Sequence, residues 1–291
     1  MSNRVRLFSD WADSETLANH VVGRSVSFNA NWYQFGEAEF VWGDEYDYAV
    51  VFNFAIDQLP TTFPYDRTIG LILEPVEILD VMYQGWRGFD PSPYAAYYSF
   101  TPLEGYRTAL GIGLPQGSPF PEPPAWGDRK LACMIASNKV YTPFQVHRRK
   151  VMAALLSTDI EIDFYGRGMP ALDDERVKGE IAPGGKDPIL DQYKYVIDFE
   201  NSPYALTDKF FDPVLRGAVP ITNSLAVGDL GLRDGCHWVK FDKNPVDIAK
   251  TVAWFLKPHM GDKPSSELQF EVASGKLCLA NWIDQKIREL P

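Results

Sequence analysis

With 291 residues, 45% of them apolar and 23% charged, the chain is long enough for one large or two medium cores and has an ordinary globular composition. Its formal charge of −11, from 28 Lys and Arg against 39 Asp and Glu, argues against a nucleic-acid or anionic-membrane binder. An anionic ligand would have to be small and held by a few focused cations.

The opening "MSNRVRLFSDWADSE" has no apolar h-region, and no apolar run approaches the length of a membrane span, so a cytoplasmic protein is expected. Apolar runs predict strands over residues 5–9, 48–56 and 69–74, and Ser14–Val22 has helical spacing behind a serine cap. "GIGLPQGSPFPEPPAWGDRK", residues 111–130, is too rich in Pro and Gly for regular structure and sets a domain boundary near Gly127. Beyond it strands and helices alternate: strand 130–138, helix 144–158, strand 160–166, strand 193–200, helix 209–217, strand 218–222 and strand 237–241. Helix 245–257, opened by Pro245, and a last helix over 267–290 complete the chain. The domains expected are 1–127, 128–265 and a C-terminal helix, 266–291, able to cross back to the first.

Such alternation predicts α/β units with mainly parallel sheets, whose ligands bind outside the carboxyl ends of the strands. That rule marks Ser137 and Asn138, Tyr165 and Gly166, and Glu200, Asn201 and Ser202. Two such halves would face a central cleft. The aromatic content of 14% suits sugar stacking or, more ordinarily, core packing. Cys133, Cys236 and Cys278 are odd in number and widely spaced, so no disulfide framework is expected. The four histidines show no metal-binding spacing, so no metal site is expected.

One stretch carries unusual charge for a core segment: "YKYVIDFENSPYALTDKFFDPVLRGAVPI", residues 193–221, places Asp198, Glu200, Asp208 and Lys209 around one strand-to-helix junction. Glu200 could accept from a sugar hydroxyl or be tied to nearby backbone N–H groups; the residues alone leave the two open. If Thr207 caps the helix, Lys209 lies at its positive end, unfavourable by up to about 1 kcal/mol unless an anion sits there. Neutralisation by Asp208 or Glu200 is the plainer account. Asp212-Pro213 offers a rival helix start, so a single turn over 207–211 and a helix proper from Pro213 to Gly217 are expected. Arg148 and Arg149 open a helix near a strand end and could clamp a pyrophosphate, although a lone pair of arginines more often forms a solvated face.

The same stretch resembles the C-terminal signature of the α-1,3/1,4-fucosyltransferases of glycosyltransferase family 10. The resemblance rests on Tyr193-Lys194, Phe199-Glu200-Asn201-Ser202, Thr207-Asp208-Lys209 and Gly217-Ala218-Val219-Pro220 in order. It spans about residues 131–222 and is thin before residue 120. "ASNKVYTPFQVHRRKVMAALL" is similar to the family's S-N segment, in which Arg149, fourteen residues before Asp163, fits the family spacing. "GLILEPVE" is similar to its E-P turn, with Glu74 as the carboxylate.

The resemblance implies a GT-B-like fold of two Rossmann-like domains, with the donor bound in the C-terminal half. It also implies an inverting, metal-independent fucosyltransferase using GDP-fucose as donor substrate and no cofactor. Lys209 and Arg149 would hold the diphosphate, and Asp208 the donor hydroxyls. Glu200, Asn201 and Ser202, with Ser137, Asn138, Tyr165, Gly166 and Thr207, would line the donor site. Glu74 would be the general base. Asp208 stands where the family has Glu, one methylene longer.

The partners expected are a nucleotide sugar and a glycan acceptor, with no nucleic acid; acceptor, linkage and oligomeric state stay open. Rival readings are a GT-B transferase using another sugar nucleotide and a non-catalytic glycan binder on a decayed transferase fold. A metal-dependent transferase built on Asp44-Glu45 or Asp173-Asp174 is less apt, since those pairs read as solvated loops.

Overall fold

The computed structural model describes residues 2–22, 34–101, 103–108, 124–168, 173–182, 185–257, 264–273 and 277–290. The chain forms two units, Met1–Gln116 with Phe270–Pro291, and Gly117–Gln269. The breaker-rich stretch lies partly outside the described residues, which resume at 124.

Short apolar runs build the first unit. Its elements are β1 (Asn3–Phe8), α1 (Ser14–Val22), β2 (Gln34–Phe35), β3 (Ala38–Val41), β4 (Tyr48–Phe52), β5 (Thr68–Ile72), α2 (Val76–Met82), β6 (Ala96–Ser99) and β7 (Arg107–Thr108). The sheet order is β2-β3-β1-β4-β5-β6-β7, parallel except for β2 against β3. The central strands, YAVVF and TIGLI, are apolar almost throughout because helices and loops cover both faces. Val5, Leu7, Val50, Phe52 and Leu71 pack with Leu17 of α1 and with Trp282 and Ile283 from the chain's end.

The expected single helix over 267–290 is two: α8 (Ser266–Ala273) and α9 (Leu279–Arg288), numbered after the second unit's helices. Cys278 is extended, φ −79 and ψ 128, and no helix passes through that conformation. Asp284 of α9 is buried because its Oδ1 accepts from the N–H groups of Glu37 (2.8 Å) and Ala38 (3.0 Å).

The second unit contains β8 (Lys130–Ile135), α3 (Pro143–Leu156), β9 (Ile162–Tyr165), β10 (Val177–Gly179), α4 (Lys186–Leu190), β11 (Tyr193–Ile197), α5 (Asp208–Leu215), β12 (Val219–Thr222), α6 (Ala226–Asp229), β13 (His237–Trp238) and α7 (Pro245–Phe255). The sheet is wholly parallel, in the order β10-β9-β8-β11-β12-β13. Ranked along the chain this is 3-2-1-4-5-6, the doubly wound arrangement whose strand order reverses between β8 and β11. Sequence caps fix the flanking helices. Thr142 and Gln145 form a reciprocal capping box on α3, and Asn244 caps α7 ahead of Pro245.

Helix α5 departs from expectation. It runs unbroken from Asp208 with Thr207 as its cap, and Pro213 lies inside it. Asp212 does not cap: it is fully buried, with its carboxylate 2.9 Å from Lys186 Nζ. Proline there forfeits one hydrogen bond, to the Lys209 carbonyl, while Phe210, Phe211, Val214 and Leu215 are all buried. Packing outweighs the lost bond. Gly217, φ 66, then turns the chain into β12.

Candidate functional site

The alternation of β11 continues past its last paired residue. Ile197 and Phe199 join the core under α3 and α7, so Asp198 and Glu200 point to the other face, where α5 brings Lys209. The site therefore begins at the switch point of the second sheet.

Glu200 is buried and fully engaged. Its Oε1 accepts from the Thr207 N–H at 2.7 Å, the Thr207 hydroxyl reaches both of its oxygens, and Lys209 Nζ lies 3.6 Å from Oε2. Its backbone is pinned as well, its N–H donating to Asn223 Oδ1 at 2.6 Å. Burial pulls the Lys209 ammonium down, but Glu200, Asp208 and Asp198 outweigh it and hold its pKa above the usual lysine value.

The arginine the structure brings here is Arg148. It is 4% exposed, and its Nη1 donates to the Phe199 carbonyl at 3.2 Å and to Asn201 Oδ1 at 3.3 Å. Its buried Nε has no hydrogen-bond partner among the described residues. Arg149, the residue chosen by family spacing, is exposed on α3. One residue turns a helix by about 100°, so only one of two adjacent arginines can face the strand end. Burial lowers the Arg148 pKa, opposed by Asp198 and Glu200.

Lys186, at the start of α4, had no place among the sequence-based candidates. Its ammonium donates to Asp208 Oδ2 at 2.7 Å and lies 2.9 Å from Asp212. Burial would lower its pKa, but Asp208, Asp212 and Asp198 together raise it. Asp208, which burial would raise, is held well below the ordinary carboxylate range by Lys186 and Lys209. The lysine stands 22 positions from its nearest partner, and no local pattern announces it.

Asp198 is 4% exposed. Burial raises its pKa to about 7, even though Lys209, Lys186 and Arg148 pull it down. The cluster thus joins three cations, Arg148, Lys186 and Lys209, with four carboxyls, Asp198, Glu200, Asp208 and Asp212.

The remaining donor-side candidates divide. Asn201 and buried Ser202 lie in the turn after Glu200, and half-buried Ser137 and exposed Asn138 follow β8. Gly166 is indispensable there, because a Cβ on it would collide with the Ala136 carbonyl. Tyr165 is not part of the cluster. Its hydroxyl meets that of Tyr193 at 2.9 Å, and Tyr193 donates to Asp163, down the sheet toward the strands' amino ends. A hollow of about 810 Å³ opens at those amino ends, lined by Asp163, Lys130 and Arg176 among others, away from Glu200 and Lys209.

In the first unit Glu74 lies half-buried in the bend between β5 and α2, again at a carboxyl end. Tyr83 donates to Asp10 at 2.7 Å and accepts from Asn53 Nδ2 at 3.2 Å. Its phenol pKa is raised by burial first, then by Asp10, with Glu74 adding to it. Asn53, at φ 52, holds the Leu73 N–H on its Oδ1 at 3.0 Å. Beside them a hollow of about 510 Å³ is walled by Phe54, Tyr83, Trp86 and Phe89.

No curated protein matches the chain. Residues 127–227 match the sequence profile of glycosyltransferase family 10 (fucosyltransferase), C-terminal part. Among solved structures, an α1,3-fucosyltransferase superposes with a TM-score of 0.50 at 16% identity, covering 88% of this chain and 77% of that one. An α,α-trehalose 6-phosphate synthase from Burkholderia multivorans gives 0.52 at 10% identity, covering 84% and 71%. An α,α-trehalose-phosphate synthase (UDP-forming) from Burkholderia vietnamiensis gives 0.53 at 12% identity, covering 83% and 71%. At such identities the structural likeness concerns the fold, while the profile match falls on the segment that carries the charged cluster. The chain is a glycosyltransferase of GT-B fold, and its residues 127–227 match the C-terminal part of glycosyltransferase family 10.

Proposed function

We propose that the chain transfers fucose from GDP-fucose to a hydroxyl of a glycan acceptor, with inversion and without a required metal. The observation that supports this most is the convergence of Arg148, Lys186 and Lys209, from three separate segments, on the carboxyl end of β11 at the switch point. Buried Arg148, with an unpartnered Nε, suits a diphosphate oxygen. As the glycosidic bond breaks, negative charge grows on the leaving phosphate, and fixed cations lower that barrier without reorganising. Asn201 and Ser202, in the turn after Glu200, would meet the donor, and Asp208 retains one oxygen not bonded to Lys186. Glu74 takes the proton of the attacking hydroxyl. The Tyr83–Asp10 pair beside it offers further polar contacts to an acceptor, and the aromatic hollow offers apolar faces.

A second donor sugar is favoured by one observation. Asp208 is both shorter than the family Glu and tied to Lys186, so its contacts to the sugar differ. Incubation with GDP-fucose, other GDP-sugars and UDP-sugars over a panel of glycan acceptors, read by mass spectrometry, separates the readings. Addition of a deoxyhexose from GDP-fucose alone is the expected result. Transfer of a hexose instead would replace the donor, and no transfer or hydrolysis from any sugar nucleotide would end the proposal.

A further inference from the structure

Two lysines meet the start of α5 from different sides. Lys209 turns to Glu200, its Nζ 3.6 Å from Oε2. Lys186 arrives from α4 and bridges two carboxylates of α5, donating to Asp208 Oδ2 at 2.7 Å and lying 2.9 Å from Asp212 Oδ2. These two acids are one turn apart on the same helix, so they share a face. Their surroundings differ. The Asp212 side chain is fully buried, whereas 27% of the Asp208 side chain is still exposed. One end of the bridge is therefore fixed in the core, and the other reaches solvent.

Resting on the donor reading above, we propose that Lys186 is a positioning residue of the donor site: anchored on Asp212, it holds Asp208 by one oxygen, so that the other accepts a hydroxyl of the sugar nucleotide. Alone, neither partner would keep its place. A lysine stem has many rotamers, and a partly exposed aspartate at a helix start can turn into water or onto the free N–H groups of the first turn. The contact with buried Asp212 selects one lysine rotamer, and that lysine selects one direction for Asp208. Its charge also offsets that of Asp208, which would otherwise repel the diphosphate. Asp208 is one methylene shorter than the Glu of the family and has less reach, so only a hydroxyl delivered to its remaining oxygen can bond. Lys186 thus acts on the choice of donor through Asp208 and touches no reacting atom.

The hydroxyl belongs either to the ribose or to the transferred sugar, and the two share one chemistry, an O–H donating to a carboxylate. Analogues of GDP-fucose separate the sources. One set lacks the 2′- or 3′-hydroxyl of the ribose, and the other lacks a ring hydroxyl of the fucose. Calorimetric titration gives the Kd of GDP-fucose and of each analogue on the same preparation. In the unaltered protein one analogue should bind about 10–100-fold more weakly than GDP-fucose, the usual cost of losing a hydrogen bond to a charged group.

Lys186→Met should bring that ratio to about threefold or less, because an untethered carboxylate has lost its pre-organisation. Lys186→Arg, which keeps the charge and can span both acids, should retain most of it. Because Lys186→Met leaves Asp212 buried without its ammonium, Lys186→Met combined with Asp212→Leu serves as the second variant. It replaces the buried pair by apolar groups, so that stability recovers while the ratio stays lost. Each preparation is first checked for a native melting transition. A ratio that persists in Lys186→Met, or returns in the double variant, would make Lys186 a counter-charge of Asp212 alone and overturn the proposal. GDP-fucose binding by the unaltered protein that no missing hydroxyl weakens would overturn it equally. Failure of the unaltered protein to bind GDP-fucose at all is a different result, which removes the donor reading itself and this inference with it.

Discussion

Thr207 gives both of its hydrogen-bond donors to Glu200, the N–H at 2.7 Å and the hydroxyl at 3.0 and 2.9 Å. The residue that caps α5 is thus itself held by a carboxylate seven positions earlier, and Lys209 completes the knot at 3.6 Å. Glu200 consequently acts as the brace of the junction, tied to the Thr207 N–H as well as to its hydroxyl. Glu200→Ala should destabilise the chain by about 2–4 kcal/mol, since it strands a buried N–H and an ammonium that keeps only part of its hydration. Glu200→Gln should lose less, because the amide oxygen can still accept from Thr207. Urea unfolding at pH 7.5, with a lower midpoint at constant slope, is the measurement.

Arg148 and Arg149 differ by one position and should differ greatly in effect. Arg148→Met keeps the apolar stem in its buried channel and removes the charge; turnover should fall roughly 10²–10³-fold, the usual cost of deleting one group that stabilises a leaving anion. Arg149→Met removes an exposed charge and should stay within about twofold. Equal losses in the two variants would mean that Arg148 is not the phosphate ligand. Steady-state kinetics on matched preparations, with melting curves as the folding control, decides it.

What the sequence made legible follows from the length of its signals. The strands of the second sheet that sit in longer apolar or alternating stretches bounded by helices and breakers, β8, β9, β11 and β12, are found where expected, and the rule for carboxyl ends pointed to Glu200 and its neighbours. Two- to four-residue strands such as Gln34–Phe35, Ala38–Val41, Ala96–Ser99 and Val177–Gly179 carry too little alternation to be seen, since their pairing is dictated by neighbours far along the chain. Local rules also failed at Pro213, where four buried side chains hold a helix through a residue that disfavours it. Side-chain direction was the other blind spot. Tyr165 lies at the predicted strand end but reaches down the sheet to Tyr193, and Lys186 reaches Asp208 and Asp212 through a fold that its own surroundings do not foretell.

Lys186→Met isolates the role of that ion triad. It leaves Asp212, fully buried, without its ammonium, so a loss of about 3–5 kcal/mol is expected at pH 8. Lys186 holds the Asp208 pKa below the ordinary range, so the pair's stabilisation is complete at neutral pH and is lost only as pH falls through that depressed value. In the variant Asp208 regains a higher pKa and can discharge on mild acidification. The deficit relative to the parent should therefore shrink between pH 8 and pH 5, and a constant deficit would show that Lys186 contributes by packing alone.

Glu74→Gln tests the first unit. The amide keeps the shape of the bend between β5 and α2 but cannot take a proton. A loss of kcat of roughly 10²–10⁴-fold with unchanged affinity for GDP-fucose is expected of a general base. A change confined to KM for the acceptor would make Glu74 a binding group instead, and pre-steady-state measurement of GDP release separates the two.

Asp198→Asn should stabilise the empty protein, and only at higher pH. The carboxyl titrates near 7 in the folded chain against an ordinary value of 3.8, because burial outweighs the pull of Lys209, Lys186 and Arg148. Between those values the folded state holds a proton that the unfolded state has released, so stability falls as pH rises through the window, and above pH 7 the full cost of the buried charge is present. The span sets an upper bound of about 4 kcal/mol on that cost. Asparagine removes it, so the variant should exceed the parent by about 1–4 kcal/mol at pH 8 and match it within about 1 kcal/mol at pH 4.5, where both side chains are neutral. Urea titrations at the two pH values measure the difference. A variant weaker than its parent at pH 8 would mean that the three cations need the Asp198 charge more than burial penalises it, and its titration would then lie well below 7.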